Sequence, residues 1–278
     1  LISPDTAVIS DELNHNCIIN AMRLARSDWK YVYRHLDLEE LAARLDEAAQ
    51  TCRRAVVVTD GVFSMRGDHA PLAGIMALAR EYDGAFAEGV LVVVDDSHGV
   101  GAFGDTGRGT EEVTACGSVD VLVGTLGKAF GVNGGYVVGS EILIEYLRET
   151  AASYIYSNPI GPGEAAAASE ALAIVDGERG RALLAHLGEM TARFGVGLSA
   201  LGLETLPGCH PVVPLMIRDT ARTSALVAHL REHGILGTGL NYPVVPKGEE
   251  EIRFQISADH TIADIDEALA VLQMGSTV

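Results

Sequence analysis

Short runs of β-branched and aliphatic residues recur along the chain, separated by stretches whose apolar positions repeat with helical spacing. Ala55–Thr59 is one such run and leads to a helical segment over Pro71–Tyr82; Val90–Val94 and Val119–Thr125 follow. Strands that alternate with helices predict an α/β fold with a parallel sheet, because a parallel pair needs a long crossover connection. The run Val90-Leu91-Val92-Val93-Val94 is apolar at every position, which predicts a strand covered by helices on both faces. In such a sheet, ligands gather at the carboxyl ends of the strands. The rhythm changes after an alanine-rich helical stretch, Glu164–Val175. Gly177 and Gly180 interrupt the pattern there, before a second long helical stretch from Ala182 to about Leu201. Strand Val213–Ile217, helix Thr220–His233, strand Ile252–Ile256 and helix Ile262–Leu272 complete a compact α+β unit. The predicted domains are therefore a large one over residues 1–176, with a mostly parallel sheet between helices, and a small one over 177–278.

Composition narrows the classes. With 278 residues and 48% hydrophobic content, the chain can bury a core in each domain. A formal charge of −18, with no basic cluster to offset it, opposes attraction to nucleic acid. No apolar run approaches the ~20 residues of a membrane-spanning helix. Cys17, Cys52, Cys116 and Cys209 lie far apart without a CxxC pair, so neither a metal site nor a disulfide framework is expected, and a reducing cytoplasm is the expected compartment.

The candidate chemistry lies at two strand ends. Val90–Val94 runs into Asp95-Asp96-Ser97-His98-Gly99, two carboxylates and an imidazole that could hold a cation. A second strand ends in Gly124-Thr125-Leu126-Gly127-Lys128-Ala129-Phe130-Gly131. A lysine among apolar residues and glycines is expected to be desolvated, which favours its neutral, nucleophilic form. A strand-end aspartate with such a lysine suits pyridoxal phosphate, whose ring nitrogen calls for an anion and whose aldehyde calls for an amine. Two rival enzyme classes leave weaker traces. Gly99-Val100-Gly101-Ala102-Phe103-Gly104 matches the dinucleotide fingerprint GxGxxG, but Asp-Asp-Ser-His separates it from its strand. Ser97 and Ser64 lack the GxSxG elbow of a serine hydrolase.

The chain resembles the α-oxoamine synthase family of fold-type I pyridoxal-phosphate enzymes. The likeness runs through Ser10-Asp11-Glu12-Leu13-Asn14-His15, Asp60-Gly61-Val62-Phe63-Ser64-Met65, Val94–Gly99, Gly124–Lys128, Tyr156-Ser157-Asn158-Pro159 and Tyr242-Pro243-Val244-Val245-Pro246-Lys247-Gly248. It ends in Ile252-Arg253 and His260-Thr261. The resemblance implies that Lys128 holds the cofactor as a Schiff base, that Asp95 pairs with the ring nitrogen, and that His15 stacks on the ring and meets the substrate there. It further implies that Ser64 and His98 reach the phenolic oxygen and its surroundings and that Thr125 binds phosphate. Ser157 and Asn158 would touch the phosphate of a partner subunit's cofactor, which makes the protein a homodimer. Arg253 would grip the carboxylate of glycine, for which a planar guanidinium has bidentate geometry.

The reaction so implied condenses glycine with an acyl-CoA. Acetyl-CoA is favoured, giving 2-amino-3-ketobutyrate and CoA; formation of 8-amino-7-oxononanoate or 5-aminolevulinate is the alternative within the family. Simpler roles stand beside these: His15 could cap a helix starting near Asn16, Asp95 could cap a turn, and Arg253 could pair with one of Glu249–Glu251. Two departures from the family pattern are visible. An amino-terminal segment of about a hundred residues, with an Asn-Tyr-Leu-Gly strip and a glycine/serine phosphate cup, has no counterpart here, which leaves a noncatalytic fragment or interaction protein as a further reading. Ala85–Gly89 looks like an insertion that enlarges a surface loop.

Overall fold

The computed structural model describes residues 1–275, which pack as two units: Leu1–Phe63 with His69–Gly177, and Ser64–Asp68 with the residues from Glu178 onward. The first unit runs β1 (Thr6–Asp11), α1 (Asn16–Leu24), β2 (Trp29–Tyr33), α2 (Leu38–Ala49), β3 (Arg54–Asp60), α3 (Leu72–Tyr82), β4 (Val90–Asp95) and α4 (Thr110–Thr114). It continues with β5 (Val121–Thr125), β6 (Gly135–Gly139), α5 (Glu141–Thr150), α6 (Ala152–Ile155) and α7 (Pro162–Asp176). Its sheet has the order β2-β1-β3-β4-β5-β6, parallel throughout except that β6 runs antiparallel to β5.

The core of this unit lies between the sheet and α2 and α3. Ile9, Val57 and Val92 meet Leu41, Leu45, Ile75 and Met76, all buried. In α2 the spacing Leu41, Leu45, Ala48 places the buried residues on one helical face. Asp37 starts that helix by accepting the Glu40 N–H at 2.9 Å. Helices do not bury both faces of β4, contrary to the expectation from its apolar run. Val90, Val92 and Val94 are buried, whereas Leu91, Val93 and Asp95 on the opposite face are half-buried. The strand expected from Val119 starts at Val121, because the Val119 N–H goes to the Glu111 carboxylate at 2.7 Å instead of to a neighbouring strand. Ala85–Gly89 is more than an enlarged surface loop: Phe86 is buried in the core, and the Gly89 carbonyl accepts the Ala55 N–H at 3.2 Å beside the start of β3.

The second unit runs α8 (Glu178–Ala200), β7 (Val212–Met216), α9 (Thr220–Glu232), β8 (Thr238–Leu240), β9 (Glu251–Gln255) and α10 (Ile262–Gly275). Its antiparallel sheet has the order β7-β9-β8. The Phe194 ring of α8 meets the Phe254 ring of β9 edge-on at 5.0 Å. Gly180 does not interrupt this unit's first helix; it is buried inside α8, and the break falls at Gly177 alone. Ser64–Asp68 belongs to this unit by packing. Gly67 has φ +70°, and a Cβ there would lie 2.1 Å from the Val212 carbonyl oxygen, so the loop approaches β7 as closely as backbone permits.

Candidate active site

Asp60 and Asp95 are the last residues of adjacent parallel strands and are directly in register, so their side chains leave the same face of the sheet at its carboxyl edge. The Asp60 carboxylate is buried and accepts the His15 backbone N–H at 2.7 Å; its own N–H donates to the Asn14 amide oxygen at 2.7 Å. Asn14, also buried, donates to Ser10 Oγ and to the Val58 carbonyl, both at 2.8 Å. This network fixes the turn between β1 and α1 and sets His15 at the helix start. There the ring also plays the simpler role its position allowed: Nδ1 accepts the Cys17 N–H at 3.2 Å, which leaves Nε2 to carry the proton of the neutral ring. The Cys17 thiol in turn lies 3.6 Å from Asp95 Oδ2. The other Asp95 oxygen accepts the Ser97 N–H at 3.1 Å, so the carboxylate caps its turn while keeping an acceptor directed away from it.

Lys128 follows β5 and is exposed, so the expected desolvation is not what sets its chemistry. The loop carrying it folds outward, with the Gly131 N–H donating to the Lys128 carbonyl at 3.0 Å, and apolar neighbours such as Leu126 and Phe130 turn inward without covering the amine. The Lys128 ammonium acts instead on Asp60. Burial pushes the Asp60 carboxyl up to about 7, and the nearby Asp95 charge adds to the rise, while the His15 N–H and the Lys128 ammonium oppose it. Asp60 thus shares one electric field with Asp95, Asp11 and Lys128, three carboxylates to one ammonium. Asp60 received no role from the sequence beyond its motif; its signal was an acidic residue closing an otherwise apolar strand.

Asp96 does not join this group, and the cation site suggested by the paired aspartates does not form. Among the described residues, no cluster of His, Cys, Asp and Glu could hold a metal. Strand alternation sends Asp96 to the buried side, where its two oxygens accept the Thr110 N–H and hydroxyl, each at 2.7 Å. Cβ atoms at Gly61, Gly99 and Gly109 would lie 2.1, 2.2 and 2.0 Å from this carboxylate, so three glycines wall it in. The GxGxxG match is part of that wall. No helix opens on it: the next helix is α4, starting at Thr110.

The remaining predicted residues make local contacts of their own. His98 is half-buried in the turn after Asp96, whose carbonyl accepts the Gly99 and Val100 N–H groups. Thr125 Oγ1 donates to the Gly134 carbonyl at 3.2 Å and accepts the Gly127 N–H at 3.1 Å, so its hydroxyl proton is already engaged in the turn that carries Lys128. Ser157 and Asn158 are exposed after α6. In the second unit, Arg253 on β9 donates to the Ser64 carbonyl at 3.0 Å and borders a cavity of about 910 Å³ whose lining includes Arg231, His260 and Asp264. Glu251, two residues earlier on the same face of β9, is buried with one oxygen lacking a hydrogen-bond partner. Burial raises its carboxyl to about 7 against the pull of Arg66 and Arg253.

A mostly parallel sheet between helices, followed by a small α+β unit, is the architecture of the fold-type I pyridoxal-phosphate transferases. The whole chain superposes on Sphingomonas wittichii serine palmitoyltransferase with a TM-score of 0.90 at 28% identity, covering 68% of that chain. It superposes equally on a serine palmitoyltransferase solved with its pyridoxal-phosphate internal aldimine, with a TM-score of 0.91 at 27% identity and 68% of that chain covered. Residues 1–272 match the aminotransferase class I and II family, and the chain belongs to that family. It is 43% identical over 266 residues to 8-amino-7-oxononanoate synthase of Fervidobacterium nodosum, covering 95% of this chain and 65% of that protein. It is 41% identical over 278 residues to the mitochondrial 2-amino-3-ketobutyrate coenzyme A ligase of Mus musculus, covering 99% of this chain and 64% of that protein. The chain spans about two thirds of the length of the curated relatives it matches, 64–67% for the first three. The α-oxoamine synthase resemblance drawn from the motifs is thereby borne out. No helix among the described residues is long and apolar enough to cross a membrane.

Proposed function

We propose that this protein is a pyridoxal-phosphate-dependent acyltransferase that condenses glycine with an acyl-CoA, with acetyl-CoA as the favoured donor. The observation that carries this reading is the in-register pair Asp60 and Asp95 at the sheet's carboxyl edge, with the Lys128 ammonium acting on Asp60. The field is short of positive charge, and Asp95 keeps an acceptor directed away from its own turn, so a protonated ring nitrogen fits this donor set. When bound, pyridoxal phosphate supplies an aldehyde and a ring that withdraws the electron pair of a carbanion. Lys128 would hold the cofactor through its amine and would take the proton from the α-carbon of the amino acid. Asp95 holds a proton at the ring nitrogen. His15 covers the ring face and offers Nε2–H to the substrate. Arg253, whose guanidinium spends one N–H on the Ser64 carbonyl, binds the glycine carboxylate with the others. Ser64 and His98 serve the phenolic oxygen, Thr125 the phosphate, and Ser157 with Asn158 the phosphate in a partner subunit of a homodimer.

The 43% identity to an 8-amino-7-oxononanoate synthase supports a second reading with a longer acyl donor. The deciding assay is CoA release with acetyl-, succinyl- and pimeloyl-CoA, each with glycine and with alanine. Preference for acetyl-CoA with glycine upholds the first reading, and preference for pimeloyl-CoA the second. Borohydride treatment of the cofactor-loaded protein is expected to leave a mass adduct on Lys128 that Lys128→Ala abolishes. No adduct on the unaltered protein would leave a noncatalytic role.

A further inference from the structure

We propose that Asp60 is a positioning residue of this site: it clamps the backbone that carries His15, and its charge joins that of Asp95 in drawing the cationic ring and holding Lys128. The inference rests on the pyridoxal-phosphate reading above. Three features set Asp60 apart from an ordinary buried acid. Its carboxylate is buried and accepts one backbone N–H, at 2.7 Å, where the structural Asp96 accepts both the N–H and the hydroxyl of Thr110. That N–H belongs to the residue whose imidazole caps α1, so the carboxylate sets the height of the ring above the strand ends. Finally, its register partner is Asp95, which places two like charges side by side at the sheet edge. The charged and titratable groups that face it are Asp11 from β1, His15 and Cys17 from α1, Asp95 from β4 and Lys128 beyond β5.

Such an arrangement works against the apo fold. Above about pH 7 Asp60 is ionised in a buried place beside another carboxylate, at a cost to the apo fold. Asparagine keeps an oxygen for the His15 N–H and removes the charge; alanine removes both. These substitutions therefore separate the two roles.

The test uses the full chain, measuring apo melting temperature at pH 8 and pH 5, pyridoxal-phosphate affinity, and the visible circular dichroism of the bound cofactor. Asp60→Asn is expected to melt several degrees higher than the parent at pH 8, with a smaller rise at pH 5. It should bind the cofactor roughly tenfold more weakly while keeping the dichroic band, because His15 stays clamped. Asp60→Ala is expected to lose the band as well, and His15→Ala added to Asp60→Ala should weaken binding no further. A lower melting temperature for Asp60→Asn at pH 8, or cofactor affinity within twofold of the parent, overturns the proposal. If the parent itself binds no cofactor, the functional reading fails and the inference falls with it. A parent that binds with an Asp60→Asn variant that binds equally well sinks the inference alone.

Discussion

Asp60 and Asp96 sit one residue apart in register at the ends of neighbouring strands, both are buried, and burial pushes both carboxyls up, to about 7 and about 6. Their surroundings differ in kind. Asp96 is matched by two donors from Thr110 and enclosed by Gly61, Gly99 and Gly109, with nothing left to bind. Asp60 has a backbone donor, a like-charged neighbour and a lysine that only partly offsets it. A carboxylate whose acceptors are filled and whose walls are glycine holds a loop in place. One with comparable burial, set in an unbalanced field, stores electrostatic work that a ligand can release. Burial by itself therefore does not separate structure from function at this edge; the balance of partners does.

A large effect is expected from filling the Asp96 enclosure. Gly109 has φ +77° and ψ −152°, a region that L-residues avoid, and its Cβ would meet a carboxylate oxygen at 2.0 Å. Gly109→Ala should cost about 3 kcal/mol or more in urea unfolding. Gly117→Ala, at φ +80° with nothing within 4 Å, should cost only about 1 kcal/mol. Equal losses in the two variants would show that backbone strain, and not the Asp96 enclosure, sets the penalty.

A comparable effect follows from pH. Both carboxyls stand above their ordinary value of 3.8 in the folded chain, so the folded state holds protons that the unfolded state releases. Stability from these groups is therefore full below about pH 4 and is lost as pH rises through 6 and 7. Between pH 5 and pH 8 the apo chain should lose about 4 kcal/mol, and Asp60→Asn should flatten the upper part of that fall. A flat profile for the parent would remove the stored work from the comparison.

The smallest effect concerns Cys17, whose thiol is pushed up by burial and then by Asp95 and Asp60. Removing the Asp60 charge should speed its alkylation by iodoacetamide at pH 8 about twofold to fivefold, read by peptide mapping. Asp96→Asn should leave the rate unchanged, since Asp96 is not among the groups acting on that thiol.

Sequence made the parallel sheet legible where strands were uninterrupted aliphatic runs, as in β3 and β4, and it placed α3, α7, α9 and α10 within a few residues. It passed over β1, whose central position is disguised by Thr6, Ser10 and Asp11, all buried through hydrogen bonds that a hydropathy pattern does not register. The edge strand β2 was likewise unread: its polar and aromatic mix suits a half-exposed position. At the site, Asp95 and Lys128 could be named because each ends a strand. The divergence of Asp96 followed from strand alternation and could have been read from the period of two. Asp60 could not, because its importance lies in a bond to a backbone N–H forty-five residues earlier.

Five residues of the first half of the chain, Ser64–Asp68, pack with the second unit, and Gly67 meets the Val212 carbonyl so closely that no side chain fits. The second unit is thus discontinuous in sequence. Excised from Glu178 onward, it would lack the partner of β7 at Gly67, the carbonyl to which Arg253 donates and the arginine with the larger pull on buried Glu251. The molecule is therefore a poor candidate for modular dissection: an ancestral exchange of its carboxyl-terminal half would have had to carry a five-residue graft from elsewhere, or invent one.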